Sequence, residues 1–130
     1  MKHLIYIAEL IERAGFATLG KDIFIGTMPG SVTNGVMLRS PLSGDKIDEG
    51  QGGFFDTTFT MIVRSESVPD GYQKCLAISQ MLTRGHANAS DFHIIRLRPD
   101  TLPVTYPRGD ADTLETAVTM SYAFGDNALA

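Results

Sequence analysis

Leu114-Glu115-Thr116-Ala117-Val118-Thr119-Met120-Ser121-Tyr122-Ala123-Phe124 is the stretch that decides the fold class. Leu114, Val118, Met120, Tyr122 and Phe124 share one parity, while Glu115, Thr119 and Ser121 take the other. Successive side chains of a strand point to opposite faces, so this spacing predicts a long β-strand with one apolar and one polar face. Phe55 to Val63 follows the same rule: Phe55, Thr57, Phe59, Met61 and Val63 fall together, Asp56, Thr58 and Thr60 fall opposite, and Ile62 breaks the pattern. Two half-buried strands of this kind need an apolar layer to cover them.

The cover is expected from two helices. Leu4, Ile7, Ala8, Ile11 and Ala14 recur at helical spacing, Glu9, Glu12 and Arg13 fall elsewhere on the wheel, and Gly15 supplies a left-handed stop. Pro69 and Asp70 open a second helix. There Tyr72, Leu76, Ser79 and Leu82 or Thr83 form a stripe widened by Cys75, Ile78 and Met81, and Gly85 closes the helix. Ile23 to Thr27 and Val36 to Arg39 are short β-favouring runs separated by Pro29, Gly30, Asn34 and Gly35, as in a hairpin. Phe92 to Leu97 is a further strand, joined to the last by a connection punctuated by Pro and Gly. The expected fold is α+β: a mixed, mainly antiparallel sheet packed with two helices in the order α-β-β-β-α-β-β. A long loop, Pro41 to Gly53, lies between the second and third strands, with Asp45, Asp48, Glu49 and four glycines but only Leu42 and Ile47 as sizeable apolar residues.

At 130 residues, 43% hydrophobic and 20% charged, the chain has the balance of one soluble globular domain spanning 1–130. Eleven Lys and Arg against fifteen Asp and Glu leave a net charge of −4, which argues against a protein whose main task is gripping phosphates. Glu9 and Glu12 interrupt the apolar N-terminal run before a signal-peptide core could form, and no run approaches the roughly 20 apolar residues of a membrane span. The one cysteine, Cys75, cannot close a disulfide within the chain, and no Cys/His spacing matches a zinc site. No cofactor, metal or membrane is expected as a partner.

No enzyme signature stands out against its plainer reading. His86, Asp91 and His93 are close in sequence with Ser90 between them, but Ser90 lacks a Gly-flanked elbow, and a helix-to-strand connector collects Asn, Ser and Asp as turn residues. Cys75, among Tyr72, Leu76 and Ile78, has the setting of a small buried thiol. The glycines of the 41–53 loop are followed by no Gly-Lys-Ser/Thr, and its acids miss the calcium-loop spacing. Arg108-Gly109-Asp110 is a turn ahead of the final strand, and Arg96 and Arg98 alternate about Leu97 as on a solvent-facing edge. What remains is a compact acidic domain with long strands, an exposed edge and a Gly-rich acidic loop, which suits a subunit that associates with copies of itself.

Taken in order, these pieces resemble the tail terminator proteins of long-tailed bacteriophages, small subunits also described as minor tail or tail completion proteins. The resemblance is clearest at the end of the chain. There Ile94-Ile95-Arg96-Leu97-Arg98-Pro99 is followed by Leu102-Pro103-Val104-Thr105-Tyr106-Pro107-Arg108-Gly109-Asp110 and then the closing strand. It implies a virion protein, made in the host cytoplasm, that forms a ring, usually hexameric, at the head-proximal end of the tail. Such a ring caps the tube, ends tube polymerisation and offers a surface to the head-completion or connector protein. DNA meets it only in passage, and neither catalysis nor a cofactor is involved. Asp45, Asp48, Glu49, Arg96, Arg98, Arg108 and Asp110 are then the candidates for the oligomer interface or the lumen. The alternative is a small cytoplasmic α+β enzyme or ligand-binding domain with a site near His86, Asp91 and His93.

Overall fold

A computed structural model describes residues 2–41, 44, 53–88, 92–107 and 113–126. Two helices and seven strands follow in the order α1 (Lys2–Arg13), β1 (Ile23–Ile25), β2 (Gly35–Arg39), β3 (Phe54–Ser65), α2 (Val68–Leu82), β4 (Ala87–Asn88), β5 (Phe92–Pro99), β6 (Val104–Pro107) and β7 (Leu114–Asp126). The expected α+β class and mainly antiparallel sheet are observed. The strands form one sheet in the order β1-β2-β3-β7-β5-β4, with β6 also on β7.

β7 is the spine of this sheet. It pairs antiparallel with β3 from Phe54↔Gly125 to Ser65↔Leu114, and its other edge is shared between β6 at Leu114–Ala117 and β5 at Met120–Asp126. The register puts Phe59, Met61 and Val63 on the same face as Val118, Met120, Tyr122 and Phe124, all buried. α2 lies across β7, β3 and β5 on that face, and α1 sits beside it over β1. Leu4, Ile7, Ala8 and Ile11 are buried as their spacing requires, whereas Ala14 is exposed beyond the helix end. Gly15 stops α1 with φ +85°. His3 joins the same core, stacked 4.5 Å from the Phe124 ring.

α2 begins at Ser67, whose hydroxyl accepts from the Asp70 amide at 3.2 Å, with Pro69 in the first turn. It stops at Thr83, not Gly85, because the Thr83 hydroxyl donates to the Ser79 carbonyl at 2.7 Å and the Arg84 guanidinium donates to the carbonyls of Met81 and Leu82. The buried stripe is Gly71, Cys75, Ile78, Ser79 and Leu82, so Tyr72 and Leu76 lie on its flank rather than along its centre. Gly71 sets the helix-to-sheet distance. A Cβ there would press on the Ser65 hydroxyl and stand 2.9 Å from Thr116 Oγ1.

Two strand expectations need correction. β1 and β2 are not a hairpin: they pair in parallel, Ile23 opposite Val36 and Ile25 opposite Leu38. A parallel pair needs a return connection, and strands this short need little of one. Gly26 turns the chain at φ +91°, residues 27–34 double back, and Val36 N donates to Asp22 O at 2.8 Å. In the segment after β5, expected as a connection and turn, Val104–Pro107 forms β6, with its prolines just before the strand and at its last position. In β5 itself the register slips between Ile94 and Arg96, so Ile94 and Leu97 both face the core although three residues separate them. Apart from Pro41, Gly44 and Gly53, the expected 41–53 loop lies outside the described residues, as do Asp91, Arg108 and Asp110.

Candidate assembly surface

The face of the sheet away from the helices carries the opposite parity. Asp56, Thr58, Thr60, Ile62 and Arg64 of β3 stand beside Ala123, Ser121, Thr119, Ala117 and Glu115 of β7. No described helix packs on this face. One corner of it is closed by residues 29–32. Arg64, 5% exposed, donates to the carbonyls of Pro29 and Val32 at 2.8 and 3.0 Å and holds the Glu115 carboxylate through Nε at 3.2 Å and Nη2 at 3.0 Å. The guanidinium fork satisfies this set of acceptors from one planar group, which a lysine could not do.

Glu115 links that corner to the sheet edge, because its register partner on β6 is Tyr106. Burial raises the Tyr106 pKa first, the Glu115 carboxylate raises it further, and Arg39 pulls it down. β6 bonds to β7 on one side, anchored by Thr105 Oγ1 and Thr116 Oγ1 at 2.9 Å. Along this strand and just before it, Leu102, Val104 and Tyr106 are 69%, 61% and 40% exposed. Three large apolar residues at two-residue spacing, two on a strand hydrogen-bonded along one side and one just before it, are a ready contact for another protein surface.

Of the residues singled out in the sequence, Arg96 and Arg98 lie on the outer face, opposite Ala123 and Ser121. Arg96 Nη2 reaches Asp56 Oδ1 at 3.0 Å and Ser121 Oγ at 3.3 Å, which ties β5 to β3 across β7. Arg98 is exposed and makes no ion pair among the described residues. Asp45, Asp48, Glu49, Arg108 and Asp110 lie outside the described residues, and so does Asp91 of the alternative site. The two histidines of that alternative do meet: His86 Nδ1 is 3.0 Å from His93 Nε2. Among the described residues their side-chain hydrogen-bond partners are each other and Asn88, none of them a nucleophile. Cys75 is buried on the sheet-facing side of α2, and burial pushes its thiol up to about 12.

Sequence reasoning missed the Arg64–Glu115 pair and the β6 triad. The first joins residues 51 positions apart and needs the β3–β7 register to be seen. The second was legible in Leu102-Pro103-Val104-Thr105-Tyr106, where apolar residues alternate, but the flanking prolines argued for a connection.

The fold and this surface define a small α+β building block whose prominent described feature is an apolar edge strand rather than a catalytic grouping. The chain belongs to the bacteriophage tail terminator protein family, whose sequence model matches residues 10–123, and is thereby a structural protein of a phage tail. In fold it is similar to a chain of the virion of a native gene transfer agent particle, with a TM-score of 0.62 and 17% identity over 92% of each chain. No curated protein matches the sequence.

Proposed function

We propose that this chain, acting as one tail-terminator-like domain over 1–130, is the subunit of a homo-oligomeric ring, a hexamer by the habit of the family it resembles. The ring caps the head-proximal end of the tail tube, stops its polymerisation and presents a surface to the head-completion or connector protein. Family membership over residues 10–123 is the observation that carries this reading. The surface supports it in a second way. A ring is built from heterologous contacts between two unlike patches, and the sheet offers unlike edges: three-residue β1 at one end, and beyond β7 the β6 strand, with Leu102, Val104 and Tyr106 exposed along it and just before it.

Asp45, Asp48, Glu49, Arg96, Arg98, Arg108 and Asp110 are proposed for the ring interface or the lumen. Repeated by symmetry, the three acids of the 41–53 segment would line the passage with charge that DNA does not stick to. The subunit is proposed to assemble in the host cytoplasm and to remain in the virion. The test is tube growth: purified tube protein polymerising with and without this chain, with tube lengths measured by electron microscopy. Addition should arrest elongation and leave one ring at a single tube end. Unaltered growth, with no ring at either end, would overturn the proposal.

A further inference from the structure

The outer face carries a second grouping, on the β4–β5 pair, that tail assembly does not explain. Asn88 and His93 are cross-strand partners, and His86 is two residues before Asn88, so all three share one face, opposite the buried Ile94. His93 Nδ1 is 2.6 Å from Asn88 Oδ1. An amide oxygen only accepts, so His93 carries its proton on Nδ1 and turns the Nε2 lone pair toward His86 Nδ1, 3.0 Å away. The two ring centroids stand 5.2 Å apart. On the other flank of His93 is Gly125, which has no side chain to crowd the ring.

We propose that His86 and His93 form a two-imidazole site for zinc or a similar late first-row divalent ion, with Asn88 as the residue that orients His93. Two imidazoles on a tetrahedral ion, with bonds of about 2.0–2.1 Å, place their nitrogens roughly 3.3 Å apart and their centroids about 5.2 Å apart. The observed pair has the same centroid separation in a nearly head-on hydrogen bond, so to take an ion the nitrogens part by a few tenths of an ångström and each ring swings by roughly 35° to aim its lone pair at the tetrahedral centre. His86 is exposed and His93 half-buried, and side chains at such positions reorient on the picosecond-to-nanosecond scale. The ion takes the place of the proton shared between the rings: His86 moves its proton to Nε2 and offers Nδ1, while His93 keeps its Nδ1 proton on Asn88 and offers Nε2. This is the arrangement in which a metal-bound histidine is held by a hydrogen bond from its second nitrogen. The remaining positions of the ion face solvent, open to water or to a donor from a neighbouring subunit.

Isothermal titration of untagged protein with Zn2+ alone, near neutral pH, tests the site. The expected result is one ion per chain. His86→Ala and His93→Ala should each weaken binding by 10-fold or more, and Asn88→Ala by roughly 10-fold, all with unchanged melting. Histidine ring resonances resolve the alternative locations: Zn2+ should shift those of His86 and His93 and leave that of buried His3 in place. A His86→Ala/His93→Ala double variant that binds Zn2+ like the parent, or a parent that binds none, would overturn the proposal.

Discussion

Arg64→Ala is expected to be among the most damaging single changes on the outer face. The guanidinium makes four hydrogen bonds, two to Glu115 and one each to the carbonyls of Pro29 and Val32. Truncation leaves a carboxylate whose side chain is 16% exposed and takes the Arg64 donor from the Val32 carbonyl, while the Pro29 carbonyl keeps the Val32 amide at 3.1 Å. Breaking a buried ion pair by removing one partner costs about 3–5 kcal/mol, and water can reach the edge of Glu115, so the expected loss is at the lower end, about 3 kcal/mol. For a chain of this size that lowers Tm by about 10 °C. The assay is urea unfolding of Arg64→Ala, Glu115→Gln and the double variant. Because the single changes strand opposite halves of one interaction, the double variant should lose less than their sum by at least ~1 kcal/mol. Arg64→Ala within ~1 kcal/mol of the parent, or strictly additive losses, would refute the reasoning that this corner is fastened by the Arg64 fork.

Gly71→Ala gains helix propensity of about 1 kcal/mol, but its Cβ presses on Ser65 and Thr116, and overpacking of this kind costs about 1–3 kcal/mol. Denaturant midpoints should therefore fall for Gly71→Ala and further for Gly71→Val. Burial raises the Cys75 thiol from 9.0 to about 12, so its contribution to stability is fully present below about pH 9 and is lost as pH rises toward about 12. The stability difference between the parent and Cys75→Val should shift against the parent across that window, and thiol reagents should label Cys75 only on unfolding. Val104→Glu, at a position 61% exposed, should leave the melting curve of the subunit within ~0.5 kcal/mol of the parent while sedimentation shows that self-association is lost.

Strand parity was the legible part of this sequence. The faces assigned to Phe55–Val63 and Leu114–Phe124 are those observed, because a two-residue period survives whatever the partner strand is. Gly15 marked the end of α1 correctly for the same local reason: its left-handed φ is a property of the turn itself. Strand direction is not local. Nothing in Ile23–Ile25 or Gly35–Arg39 distinguishes a hairpin from a parallel return, and the choice follows from residues 26–34 docking beside Arg64 on a distant strand. The stripe of α2 turned because Gly71, which has no apolar side chain to signal burial, is where the helix comes closest to β3 and β7. Arg96 was noticed from its alternation with Leu97, but its partner Asp56 is 40 positions away and depends on the bulge in β5.

Mass photometry and negative-stain microscopy of the purified chain, alone and with its tail tube protein at on the order of 50 µM, ask whether the subunit completes itself in a ring. The expected image is a discrete closed ring of identical subunits, free or seated on one end of a tube. A chain that stays monomeric in both samples and never appears on a tube end would contradict it.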